Sequence, residues 1–198
     1  MRRRPLALLF WFVLTSAALA QFGSAPQPGV KLRGRSFSEL FAAQKTLLSN
    51  YCRLDFEGAR LEASGWNRFK PYTSLRANPE FNRVVIVTRF NIESPEQPVD
   101  ELSASYQSVG FYQEGEGFTD EASSDQVTFR VQEQNGDLLV TAIRPESPHV
   151  SPRAAIAWMN VRLANPQTSD FERVHLKDAV QQLNKFLPQP RPATPPGA

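Results

Sequence analysis

Between Arg83 and Ile143 the apolar residues of this chain recur at every second position, whereas before Arg83 and after Pro145 they recur every three or four. A period of two is the mark of a strand and a period of 3.6 that of a helix. Helices, then consecutive strands, then helices again describe an α+β fold. The expected architecture is a long N-terminal helix and a short helix against a curled antiparallel sheet of about four strands, followed by a C-terminal helical pair.

The long helix opens at Ser36-Phe37-Ser38-Glu39, where the Ser36 hydroxyl can cap the Glu39 amide and the Glu39 carboxylate can reach back. Phe37, Leu40, Phe41, Leu47, Leu48, Tyr51 and Leu54 form its apolar stripe, and Gly58 supplies the left-handed stop. Ser64 before Gly65-Trp66 predicts a short helix carrying Trp66 and Phe69. Asn78-Pro79 predicts a further capped turn.

In the strand region Val84, Ile86, Phe90 and Ile92 are expected on one face. Leu102, Ala104 and Tyr106 continue such a face, and a phase slip near Gly110 predicts a bulge that curls the sheet. Asn135-Gly136 is a two-residue hairpin loop, expected to pair Val131 with Val140 and Phe129 with Ala142. Ser151-Pro152 caps a helix with Ala155, Trp158, Met159 and Leu163 on its apolar face. After Asn165-Pro166 a last helix buries Leu176, Val180, Leu183 and Leu187.

The ends read differently from this core. Residues 1–20 carry Arg2, Arg3 and Arg4, a 15-residue apolar stretch from Leu6, and Ala18-Leu19-Ala20, the three parts of a general secretory signal peptide cleaved near Ala20. The stretch is shorter than the roughly 18 to 20 residues that span a bilayer, so no stable membrane insertion is expected after cleavage. Residues 21–35 form a Gly- and Pro-containing linker, 36–150 the α+β domain, 151–187 the helical extension, and 188–198 a tail holding five of the sixteen prolines. The expected location is periplasmic or secreted.

Cleavage removes three of the 22 basic residues and leaves 19 against 20 acidic ones, scattered along the chain, which argues against a nucleic-acid partner. A single cysteine, Cys52, excludes an internal disulfide framework, and its expected state is a buried inert thiol. His149 and His175 lie 26 residues apart, so no metal-ligand pair is visible, no cofactor motif is present, and a surface position suits either.

The densest polar cluster is Arg53-Leu54-Asp55-Phe56-Glu57-Gly58-Ala59-Arg60. Arg53 and Glu57, four apart, can pair on the helix surface, and Asp55 can meet Arg60. Two readings of Asp55 stay open: a structural ion pair, which lowers its pKa, or a base in an aromatic pocket, which raises it. Such a pocket would lie between the first helix and the concave sheet face, near Tyr51, Asp55, Trp66, Tyr72, Tyr106 and Phe129.

Tyr51-Cys-Arg-Leu-Asp-Phe-Glu-Gly-Ala-Arg-Leu61, then Trp66, Lys70-Pro71 and Pro148-His-Val-Ser-Pro152 with Ala154 to Trp158, resembles a group of uncharacterised exported bacterial proteins. The element order is similar to the nuclear transport factor 2-like, or cystatin-like, superfamily. That resemblance implies a sheet wrapped around the long helix into a cone with a pocket at its open end. The leading functional expectation is an exported soluble binding or interaction module whose partner is a small ligand or an envelope protein. Two alternatives stand beside it. One is a small hydrolase, isomerase or dehydratase using Asp55 as base with Tyr72 or Tyr106 as donor; the other is a homodimeric scaffold using the outer sheet face.

Overall fold

The computed structural model describes residues 36–95 and 99–187. The expected signal peptide, the expected 21–35 linker and the expected proline-rich tail lie outside these residues.

The chain enters through α1 (Phe37–Phe56), whose capping box forms: the Ser36 amide donates to Glu39 Oε2 at 2.8 Å and the Glu39 amide to Ser36 Oγ at 3.3 Å. Leu40, Leu47, Leu48, Tyr51 and Leu54 are buried along one stripe. Gly58, at φ +84°, turns the chain back. The expected short helix is instead two separate 3-10 turns, Ala59–Leu61 and Gly65–Arg68, and the Ser64 side chain makes no cap bond. Trp66 and Phe69 still face inward, their rings stacked at 5.1 Å. Asn78 does not cap a helix. Its carboxamide is taken by Arg60, which donates from Nε to Asn78 Oδ1, while Asn78 Nδ2 donates to the Arg60 carbonyl, both at 2.9 Å.

Six strands follow: β1 (Arg83–Ile92), β2 (Glu101–Gln113), β3 (Gly117–Thr119), β4 (Ser123–Gln134), β5 (Asp137–Arg144) and β6 (His149–Val150). They form a curled sheet in the order β5-β4-β2-β1-β6, with β3 added to β2. β6 runs parallel to β1, so the sheet is mixed and larger than the expected antiparallel meander. A two-residue strand has too few positions to show a period, and the sequence left it unseen.

The face assignment of β1 also needs correction. Ile86 pairs with Gly110, Val87 with Ser108 and Arg89 with Gln107, so Val109 and Thr88 are extra residues on their strands. The slip near Gly110 is there; a second one, in β1, is what the sequence did not show. Val84 and Ile86 therefore pack in one cluster with Tyr112 and Val150, while Val85, Val87 and Ile92 pack with α1, and Phe90 lies against that second cluster. Both faces of the first half of β1 are buried, which is why Val84-Val-Ile-Val87 is continuously apolar.

At the β4–β5 hairpin, Asn135 at φ +55° and Gly136 at φ +89° make a type I′ turn. Val131 pairs with Val140 as expected, but Phe129 pairs with Ile143 rather than Ala142. Thr141 is bulged out. Val140 and Ile143 are three apart and both enter the core, which strict alternation cannot achieve. A Cβ on Gly136 would meet nothing within 4 Å, so backbone strain alone decides a substitution there. Gly136→Val is expected to cost about 1–3 kcal/mol in urea denaturation, and an unchanged midpoint would rule out the type I′ geometry.

The C-terminal pair, α2 (Pro152–Ala164) and α3 (Asp170–Leu183), covers the second face of the sheet. Ser151 caps α2 and Ser169 caps α3. Arg173 donates to the carbonyls of Leu163 and Asn165 at the end of α2 and of Thr168 in the turn, which fixes that turn. Ala155 and Met159 of α2 with Leu176, Ala179 and Leu183 of α3 close over Val84, Ile86 and Tyr112, and Trp158, Leu163 and Val180 lie at the edge of that cluster.

Candidate functional site

The last turns of α1 bring Tyr51, Cys52 and Asp55 to the sheet, because positions four apart share one side of a helix. All three are buried, Asp55 with 4 % of its surface exposed. Its Oδ2 accepts the backbone N–H of His149 at 3.1 Å and lies 3.8 Å from the Arg60 guanidinium. Arg60, itself 2 % exposed, also donates to the Glu146 carbonyl at 2.5 Å and to Asn78. One guanidinium thus joins the end of α1, the 3-10 turn after it, the Asn78 loop and the segment leading to β6. On the sheet side the Tyr106 hydroxyl and the Cys52 thiol share a side-chain hydrogen bond, and the Tyr106 ring lies 4.5 Å from that of His149.

Burial dominates the electrostatics of this group. It pushes the Asp55 carboxyl up to about 6, against the pull of Arg60 and of the His149 amide. It lowers His149 to about 4 and raises the Cys52 thiol to about 12. Tyr51 and Tyr106 are raised for the same reason. The ion-pair reading of Asp55 implied a lowered pKa. The geometry holds both the pair and a raised value, since desolvation outweighs one guanidinium at 3.8 Å.

Arg53 and Glu57 meet at 3.1 Å, and Glu57 also takes Arg68 at 2.9 Å. These groups are about half exposed, and such pairs contribute at most about 1 kcal/mol.

The six residues expected around a pocket are brought together. Tyr51 touches Phe69 at 4.7 Å and Phe129 at 5.6 Å between ring centres, Tyr106 touches Phe90 at 5.8 Å, and Trp66 and Tyr72 pack on the same cluster. Their own side chains fill the space between α1 and the sheet, with Tyr51, Tyr106 and Phe129 at 2 % exposure or less. One member of this interior was read otherwise from sequence. His149, which suited a surface position, is 1 % exposed. Phe69, expected beside Trp66, packs between Tyr51 and Trp66. The available signal for His149 was its place between Pro148 and Val150, at the return of the chain to the sheet.

A shallow opening lies on the other side of β1 and β2, lined by Phe81, Asn82, Val84, Tyr112, Glu114, Trp158 and Arg162, with a volume of about 20 Å³. Tyr112 meets the Trp158 edge at 5.7 Å, and the Arg162 guanidinium sits 5.0 Å from the Trp158 ring. Arg162 pairs with Glu114 at 2.8 Å and with Glu172 of α3. Tyr112 is buried, and its hydroxyl has no hydrogen-bond partner among the described residues. Ligand pockets for small molecules enclose roughly 300–1,000 Å³, so this opening is a dimple in the surface and not a ligand pocket. The sequence reading missed it because its walls come from β1, β2 and α2.

Among the described residues no group of three or more His, Cys, Asp or Glu is placed to hold a metal ion, and no helix is long and apolar enough to cross a membrane. The outer sheet face invoked for a scaffold is covered at β1 and β2 by α2 and α3. No protein-family model, curated protein or solved structure matches the chain.

Proposed function

We propose that this chain is an exported binding or interaction module that recognises a partner protein by the surface around the Phe81–Tyr112–Trp158 cleft. The observation that carries this is the burial of Asp55, Cys52, Tyr106 and His149, the residues with the chemistry for catalysis. A substrate would have to displace packed aromatic rings to reach them, which weighs against a hydrolase, isomerase or dehydratase. The cleft offers aromatic faces, a partnerless hydroxyl and a paired arginine, the mixture found at the centres of protein interfaces. Its volume of about 20 Å³ is too small to enclose a free small ligand. Val161 of α2 and Phe171 and Val174 of α3, 64–71 % exposed, supply further apolar surface on the helical layer. Export is supported by Arg2-Arg-Arg4 and the apolar stretch that follows. The long helix against a curled sheet supports the nuclear transport factor 2-like kinship.

Native mass spectrometry of the protein purified from its own envelope tests the reading. A retained partner chain is expected for the wild type and lost in Trp158→Ala, with the melting curve confirming a folded variant. Equal retention by both proteins, or a bare monomer for the wild type, contradicts it.

A further inference from the structure

The β4–β5 hairpin turns at Asn135-Gly136, the one place in the chain where glycine follows asparagine. Its tip stands in water, with Gln134, Asn135, Gly136 and Asp137 all exposed. Among the described residues neither the Asn135 carboxamide nor the Gly136 amide makes a hydrogen bond. An electrophilic carbon and a nitrogen nucleophile thus lie side by side in sequence, both unengaged.

Attack of the Gly136 nitrogen on Asn135 Cγ closes a five-membered imide ring. The bond from Cγ to the side-chain nitrogen breaks, and that nitrogen leaves as ammonia with the proton the Gly136 amide gives up. Water then opens the ring. Opening at Cγ leaves an ordinary aspartate, whereas opening at the main-chain carbon sends the chain through Cγ as isoaspartate. Nothing is oxidised or reduced, and water is the only co-reactant. Ring closure requires the nitrogen to eclipse Cβ, which at Asn135 is a ψ of about −120°, the value that a type II′ turn gives its first central residue. The type I′ turn already holds Asn135 at φ +55°, the same sign of φ as in type II′. The two turns differ by rotation of the peptide plane between Asn135 and Gly136, and both are hairpin turns of two residues. After the flip the second residue needs a φ of about −80°, which Gly136, now at +89°, adopts freely for want of a Cβ. Even a Cβ there would meet nothing within 4 Å, so the plane turns in open solvent. The pairs Gln134 with Asp137 and Val131 with Val140 need not part.

We propose that Asn135 is a site of self-modification in the folded protein, where the Gly136 nitrogen displaces the side-chain ammonia through a flip of one peptide plane while the hairpin stays paired. Either product places a new carboxylate between Glu133 and Asp137. The isoaspartate form also puts a methylene into a loop whose two-residue length sets the pairing of the strands. The hairpin therefore ages from its tip, with the rest of the sheet intact.

Peptide mapping by mass spectrometry tests this on the full chain, incubated in mildly alkaline buffer with and without urea. Asn135 of the folded protein is expected to react within about tenfold of its rate in urea, because the turn reaches the attack geometry without unfolding. A route that waits for global unfolding would be at least about a thousandfold slower in the folded protein, since unfolded chains are that rare. Both aspartate and isoaspartate should appear, the second being a product that only ring opening yields. Arg60→Met, which weakens the fold away from the hairpin, should leave the rate within about tenfold of the wild type whether or not the variant is fully folded. Gly136→Ala should slow the reaction at least about tenfold, because a methyl group crowds the attacking nitrogen. A folded rate further below the rate in urea, a rate that climbs beyond tenfold in Arg60→Met, or aspartate without isoaspartate overturns the proposal.

Discussion

Arg60→Met is expected to lower the stability of the protein by about 3–5 kcal/mol, read as a shift of the urea midpoint at constant m-value. Methionine fills much of the same space, so lost packing is a small part of the effect. What remains behind is an Asp55 carboxyl that must take up a proton or stay charged without a counter-charge, an Asn78 Oδ1 without its donor and a Glu146 carbonyl without its own, all where α1 meets residues 145–151. Breaking one partner of a buried pair costs far more than the pair contributes, because the surviving charge stays out of water. Arg60→Lys should recover only part of the loss, since an ammonium cannot reproduce the planar fork that reaches Asn78, Glu146 and Asp55 together. Arg53→Ala is the internal comparison: its pair with Glu57 is exposed, and a change within about 1 kcal/mol is expected. Adding Asp55→Leu to Arg60→Met should restore stability, because removing both charges removes the desolvation cost as well. A loss below about 1 kcal/mol in Arg60→Met would mean that the guanidinium is not buried as described.

The features legible in the sequence are those whose causes are local. The Ser36–Glu39 box, the Gly58 stop, the Asn135-Gly136 turn and the Ser151-Pro152 cap each depend on a few adjacent residues, and each stands in the structure. The α+β order was legible because the period of burial changes at Arg83 and again at Pro145. What was not legible depends on a facing strand or on burial. Thr88 and Thr141 are bulged because their two neighbours pair with consecutive residues across the sheet and leave them no partner there, and nothing in either strand alone says so. β6 exists because Val85 and Ile86 offer an open edge to two passing residues. Asn78 precedes a proline and reads as a cap, yet Arg60, 18 positions earlier, competes for its side chain with a charged donor and wins. The candidate site shows the same division. The spacing of Tyr51 and Asp55 on one helix face was readable, and so was the chance of an Asp55–Arg60 pair. The direction of the Asp55 shift was not, because it depends on how much water is excluded around it.

Cys52 provides the most direct measurement of the central claim that this interior is sealed and structural rather than an open pocket. It is the chain's one cysteine, fully buried beside Tyr106, with its thiol raised to about 12 by burial. An aromatic disulfide reagent attacks only a thiolate it can touch. Labelling at pH 8 in the folded state is therefore expected to be at least about a thousandfold slower than in urea, since it must wait for openings that a stability of about 5 kcal/mol or more makes that rare. One equivalent should react at once when denaturant is added. Stoichiometric labelling of the folded protein within about tenfold of the denatured rate would contradict the account, because it would place an accessible pocket where the structure has packed rings.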